Sequence, residues 1–240
     1  MDSDRARAGA VGAGDRRVIV VPWRDKGDRD RRANFDAVLD HLTGLGVGPV
    51  AVADDGRLGP FNRSAAYNRG RAAHPSDVYV WHEADMLLPA DQLEAGVRLA
   101  LESPGLVVPF TEYRYLSAAD SGAVREGQPP EAFRPEFLMG GGKSIGAVGI
   151  TSEETMRLVG RWDEKFAGWG HDDNAMFRAF TLCAGPARWI EGPGYHLWHP
   201  PGMQTPVVEE QDATNDNYRR WLAYKAAATP DDIRALTCEP

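Results

Sequence analysis

Residues Val78–Pro89 read Val-Tyr-Val-Trp-His-Glu-Ala-Asp-Met-Leu-Leu-Pro. No other stretch constrains the fold as much. Val78–Trp81 is an apolar run with no polar alternation, the signature of a strand covered on both faces in the middle of a sheet. The run stops at His82, Glu83 and Asp85, and Pro89 cannot continue a ladder. A core strand therefore delivers two carboxylates, one residue apart, to its carboxyl end. That edge of an open α/β sheet is where ligands bind. Paired acids there can hold a hard divalent cation, which can in turn hold a diphosphate. An isolated Glu-x-Asp is also an ordinary solvated loop, so the rest of the chain has to decide between the two.

The chain before this stretch has the order of a parallel α/β sheet. Val18–Val21 is a first apolar strand, closed by Pro22-Trp23-Arg24. Phe35, Val38, Leu39, Leu42 and Leu45 recur at helical spacing over Asn34–Leu45, and Gly46 ends the helix. Val50–Ala53 is a second strand that runs into Asp54-Asp55-Gly56, and Asn62–Ala73 is a second helix. After the central stretch come a helix over Asp91–Glu102 and a strand over Leu106–Pro109. From Thr111 to about Met139 no periodicity holds, which reads as a long functional loop.

Gly140–Ser144 reads Gly-Gly-Gly-Lys-Ser but is no phosphate-binding P-loop. Phe137 stands where that motif needs its first glycine, and no strand leads in. Ile145–Thr151 is a further strand, and Ser152 caps the helix after it. Gly168-Trp169-Gly170 is a flexible turn around one large aromatic, followed by His171-Asp172-Asp173-Asn174 at a helix start. Acids in a first turn suit the helix dipole, though two beside a histidine exceed what capping needs. His196 and His199 stand three apart beside apolar residues, either as structural imidazoles or as metal ligands. Pro200–Asp212 reads as a polar loop and Asn215–Ala228 as a terminal helix.

Composition narrows the partners. The chain has 240 residues, 42% hydrophobic and 26% charged, with a net charge of −8. That balance disfavours nucleic acid and anionic membranes. Two cysteines far apart imply no disulfide framework and a reducing, cytoplasmic setting. Residues 1–16 have no apolar core and read as a disordered leader. No run approaches transmembrane length.

Taken together, these motifs resemble metal-dependent glycosyltransferases of the GT-A fold. They are most similar to the β-1,4-galactosyltransferases, and more distantly to the polypeptide N-acetylgalactosaminyltransferases. The resemblance runs from about Val18 to His199. It implies an α/β fold of GT-A type: a Rossmann-like, mostly parallel central sheet flanked by helices in one domain over 17–228. The nucleotide-sugar half would span about 17–110 and the acceptor half about 140–228, with a tail over 229–240.

The resemblance also assigns roles. Pro22-Trp23-Arg24, Asp54 and Phe61-Asn62-Arg63 fall on the nucleotide site. Glu83-Ala84-Asp85 falls on the family's Asp-x-Asp metal motif, with Glu for the first Asp. Gly146-Ala147-Val148-Gly149 matches a Gly-Gly-Val-Ser strand. Gly168–Asp173 matches the acceptor signature Gly-Trp-Gly-Gly-Glu-Asp, with His171 for a glycine. On that register Trp169 and Gly170 line the substrate site, Asp172 binds the acceptor sugar and Asp173 is the general base. His196 and His199 fall on a Met-x-x-His ligand pair, and Pro200–Asp212 on a mobile lid.

The implied cofactor is Mn²⁺ or Mg²⁺ held by Asp85, His196 and His199 with Glu83. The implied donor is a UDP-sugar of galactose or N-acetylgalactosamine type, and the acceptor a glycan, glycoprotein or lipid-linked sugar. The alternative is a non-catalytic nucleotide-sugar or carbohydrate-binding module of the same fold. A sugar-phosphate nucleotidyltransferase would need a glycine-rich basic signature at the first strand, which is absent here.

Overall fold

The computed structural model describes residues 16–140, 146–200 and 208–238. The expected leader, apart from Arg16, lies outside them, as do most of Gly140–Ser144 and residues 201–207 of the expected lid.

The two apolar runs become the centre of the molecule. Strand β1 (Arg17–Pro22) lies between β2 (Val50–Ala53) and β3 (Val78–His82), parallel to both. Val18–Val21 and every residue of β3 are buried, as unalternating apolar runs require. His82, read as the end of the run, lies inside β3. It is fully enclosed, and burial pushes its imidazole down to about 3, so it is neutral.

Beyond β3 the sheet changes sense. Strand β8 (Val148–Ser152) pairs antiparallel with β3 and with β5 (Val107–Val108), and β9 (Arg188–Trp189) closes the edge parallel to β5. The order is β2-β1-β3-β8-β5-β9. Three of its five pairings are parallel.

A second sheet carries the site. Its order is β4-β10-β6-β7, made of β4 (Met86–Leu87), β10 (Pro193–His196), β6 (Glu112–Tyr115) and β7 (Phe137–Met139). The segment expected to be an irregular loop over Thr111–Met139 therefore supplies two strands, and between them helix α4 (Ala118–Arg125). Its strands are short and half exposed, and β6 is completed by pairing with the distant β10, so local periodicity gave no sign of them. Only Glu83–Asp85 separate β3 in one sheet from β4 in the other. The chain crosses between sheets at its acidic motif.

Helices cover both faces. Helix α1 (Arg29–Leu45) begins five residues before the first expected position, because Asp28 caps it and accepts from the Arg31 N–H at 2.9 Å. Helix α2 (Arg63–Ala73) is capped by Asn62 and lies on β1 and β2. Helix α3 (Ala90–Glu102) lies on β3 and β8. Helix α6 (Asp172–Ala184) packs on α5 (Glu153–Val159), α7 (Val208–Ala226) and α8 (Pro230–Thr237).

Two boundaries differ from the sequence reading. Helix α7 begins at Val208, inside the expected Pro200–Asp212 loop. Residues 229–240, expected as a tail, hold α8, whose Thr229 and Asp232 form a capping box and whose Ile233 is buried.

Between α2, β3 and α6 lies an aromatic cluster. Trp81 stacks on Tyr79 with centroids 5.1 Å apart, and Tyr67 and Trp162 close on it at 5.2 and 5.6 Å. The Trp81 indole N–H donates to the Thr151 hydroxyl at 2.9 Å, which satisfies its polar atom inside the core.

Helix α2 approaches β1 so closely that a Cβ on Gly70 would meet Val20 Cγ1 at 2.4 Å. In a free helix Gly→Ala stabilises by about 1 kcal/mol. Here overpacking, worth about 1–3 kcal/mol, outweighs it. We expect Gly70→Ala to lower Tm by about 2–4 °C in a thermal melt, a loss on the order of 1 kcal/mol. A raised Tm would mean that the helix can lift off the strand freely.

Candidate active site

Crossing between sheets sets up a cluster of metal-ligating groups. Because β4 begins one residue after Asp85 and pairs with β10, His196 stands opposite Met86. The Leu197 N–H then donates to the Asp85 carbonyl at 2.8 Å. The backbone thus brings His196 and His199 to Asp85. Asp85 Oδ2 lies 3.8 Å from His196 Nε2 and 3.1 Å from His199 Nε2, and the three ligand atoms all lie within 4.8 Å of one another.

His199 Nδ1 donates to the Pro200 carbonyl at 3.0 Å, which turns Nε2 toward the carboxylate. With Nδ1 already protonated, that short Nε2···Oδ2 contact needs a proton or a cation between the two atoms. Burial alone would lower the His199 pKa, but the Asp85 carboxylate outweighs it and raises it. Burial would push Asp85 up, yet His196 and His199 hold it well below the carboxylate range. His196 is lowered by burial. Asp85 Oδ1 is buried without a hydrogen-bond partner, an atom that a bound cation satisfies. One carboxylate and two imidazoles on fixed backbone fit a divalent ion such as Mn²⁺.

Glu83 does not join this cluster. It faces Arg63, the first residue of α2, whose guanidinium also reaches Asp172 and Asp173 at the start of α6. Arg63 Nε donates to Asp172 Oδ2 at 3.0 Å. Burial would lower the Arg63 pKa, but Asp172 and Asp173 raise it, so it is a permanent cation. Asp173 is pushed up to about 6 by burial, with Asp172 adding and Arg63 opposing. The carboxylate sits against the bare backbone of Gly146, where an added Cβ would lie 2.4 Å from Asp173 Oδ2. That close approach explains a glycine at this position. Arg63, Gly146, Asp173, Met176 and Phe177 line a shallow cleft between β8 and α6.

Trp169 is 64% exposed. Its backbone is fixed: Asn217 of α7 accepts from the Ala167 N–H at 3.2 Å and donates to the carbonyls of Ala167 and Trp169 at 2.9 and 3.2 Å. Gly168 and Gly170 flank the indole at positive φ. His171 caps α6 with φ +67°, a left-handed conformation uncommon outside glycine, and its ring lies 5.3 Å from that of Tyr218.

The remaining predicted residues form a third group. Trp23 stacks on Phe35 at 4.3 Å, behind Pro22 at the end of β1. Arg24 pairs with buried Asp55 at 3.1 Å and donates to the carbonyls of Arg57 and Gly59, lying over the Phe61 ring at 5.3 Å. Asn62 donates to the Glu164 carbonyl at 2.7 Å. Asp54 is exposed and holds the Gly56 N–H, while its neighbour Asp55 accepts from the Asn62 N–H at 2.8 Å. Sequence reasoning chose Asp54, directly after β2, and missed its neighbour Asp55. It also missed Asn217, which is one polar residue among many on α7.

No family model matches the chain, and no curated protein matches it in sequence. Solved structures do match. One is Drosophila beta-1,4-galactosyltransferase 7 in complex with manganese, UDP-Gal and xylobiose. It has a TM-score of 0.54 at 14% identity, over 82% of this chain and 78% of that one. GalNAc-T7 with UDP, GalNAc and Mn²⁺ matches at 0.54 and 12% identity, over 88% of this chain and 49% of that one. Glucosyl-3-phosphoglycerate synthase from Mycobacterium tuberculosis, with Mn²⁺, UDP-glucose and phosphoglyceric acid, matches at 0.50 and 15%, over 89% and 79%. Strand order, helix placement and these likenesses agree: the chain has the GT-A glycosyltransferase fold.

Proposed function

We propose that this protein is a metal-dependent glycosyltransferase. It moves a sugar of galactose or N-acetylgalactosamine type from a UDP-sugar to an acceptor hydroxyl, with inversion at the anomeric carbon. One observation carries the reading. An oxygen–nitrogen–nitrogen cluster follows a core strand, and Glu83 of the same turn shares Arg63 with a separate carboxylate, Asp173, whose pKa suits proton transfer. The solved structures of this fold bound to Mn²⁺ with UDP or a UDP-sugar support it.

Asp85, His196 and His199 would hold the cation, with Glu83 left to Arg63. When bound, a divalent ion supplies Lewis-acid stabilisation to the departing diphosphate. The protein's own groups do the rest. Asp173 takes the proton of the acceptor hydroxyl as that oxygen bonds to C1 and the C1–phosphate oxygen bond breaks. To do so its carboxylate exchanges the Arg63 guanidinium for the hydroxyl. Asp172 keeps Arg63 in place and offers an oxygen to the acceptor sugar. The exposed Trp169 indole gives that sugar an apolar face and sheds water from the reacting atoms. A glycan, glycoprotein or lipid-linked sugar would serve as acceptor.

The first test is a panel of nucleotide sugars with and without Mn²⁺, read as nucleotide diphosphate released. Metal-dependent release from a UDP-sugar is expected, and Asp85→Ala should abolish it. Near-normal turnover in that variant would remove the metal site. No release from any donor by folded protein would instead favour the binding-module reading.

Asp173→Asn should lower kcat by about 10²–10⁴-fold while the melting curve is retained. Because the base must be ionised and its pKa is raised, kcat/KM should climb with pH through about 6 and level off above it. The same limb in Asp173→Asn would assign the titration elsewhere. Retention of the donor's anomeric configuration, read by product NMR, would exclude Asp173 as the base of a direct displacement.

A further inference from the structure

We propose that Arg31 is a diphosphate-binding residue, its guanidinium taking the anion of the nucleotide beside the Asp85–His196–His199 cluster. This rests on the function proposed above.

Arg31 lies in the first turn of α1, far in sequence from the other site residues. Its Nη2 donates to the Pro200 carbonyl at 3.3 Å. The same oxygen accepts from His199 Nδ1 at 3.0 Å. One carbonyl therefore joins the guanidinium to a metal-ligating imidazole. The proximity is felt electrostatically: the Arg31 charge acts on Asp85, His196 and His199 alike.

Its neighbours are differently placed. Arg32 is paired with Asp25 and Asp36 on the surface. Arg24, the arginine that sequence reasoning put on the nucleotide, is held by Asp55 and two backbone carbonyls. Among the described residues no carboxylate lies in ion-pair range of Arg31, and its single side-chain hydrogen bond is a long one to a neutral oxygen.

Charge counting gives the reason for such a cation. The cluster has one carboxylate and two imidazoles. A divalent ion there leaves a net positive charge, and Arg31 adds another. Two like charges so close in a partly buried site repel unless an anion lies between them. A nucleotide-sugar diphosphate carries two negative charges and fits a guanidinium fork through paired oxygens. Arg31 thus acts against the metal when the metal is alone and with it when the diphosphate is present. A residue that merely tied α1 to the Pro200 backbone would do neither.

The test uses the full chain and two titrations, Mn²⁺ alone and UDP in saturating Mn²⁺, with uridine as the phosphate-free control. In Arg31→Met we expect UDP affinity to fall about 10- to 100-fold. Uridine affinity should stay unchanged, and affinity for Mn²⁺ alone should rise a few-fold. Arg31→Lys should recover part of the UDP affinity. Arg32→Met, which removes the same charge one residue on, should stay within about twofold of the parent. The inference is overturned if UDP affinity in Arg31→Met stays within about twofold of the parent, or if Arg32→Met loses as much. If the unsubstituted protein, folded and in Mn²⁺, binds no UDP, it is the proposed function that fails, and this inference with it.

Discussion

The Arg63 guanidinium is the interaction on which the rest of the site depends. It starts helix α2, and it reaches Glu83 at the end of β3 and Asp172 and Asp173 at the start of α6. Three elements from different parts of the chain meet at one half-buried cation. Such a group cannot be left unpaired, because a lone buried charge is worth several kcal/mol of destabilisation. Its carboxylates are in turn tolerated there only because the guanidinium answers them. The arrangement sets three carboxylates against one cation, and burial, with Asp172 adding to it against the pull of Arg63, raises Asp173.

The site residues fall into two groups, Asp85 with its two imidazoles and Glu83 with Arg63, Asp172 and Asp173, and Ala84 alone separates Glu83 in the second from Asp85 in the first. The separation comes from the backbone. β3 ends the large sheet and β4 begins the small one, so consecutive acids leave the turn toward different neighbours.

Much of this was legible in the sequence, for identifiable reasons. β1 and β3 are continuous apolar runs, and their burial is uniform. Asn62 and Ser152 are capping residues placed before helical periodicity, and both cap. Asp85, His196 and His199 were picked out by type and spacing, and they do converge. What failed was non-local. β6 and β7 are short, and their face toward solvent keeps aromatic residues, with Phe137 half exposed, so alternation was hidden. Glu83 was grouped with the metal because it is one residue from Asp85. The side chain that claims it sits twenty positions back, at the start of helix α2. Arg31 lies in Arg29-Asp30-Arg31-Arg32, where nothing in the run marks one arginine from the next. α8 was overlooked although Thr229-Pro230-Asp231-Asp232 marks a helix start, because it is eight residues long and Ile233 is its one fully buried apolar residue.

The tether between Asn217 and the Gly168–Gly170 turn has a thermodynamic consequence. Three hydrogen bonds fix the backbone on either side of the tryptophan, while the indole itself remains in solvent. On the proposed function, closure of this wall over a sugar would be a rotation of one side chain. Freezing one such side chain costs about 0.5–1.5 kcal/mol. Ordering a loop costs about 1–2 kcal/mol for every residue in it. By settling the backbone in advance, α7 leaves only the indole to move, on the timescale of rotamers.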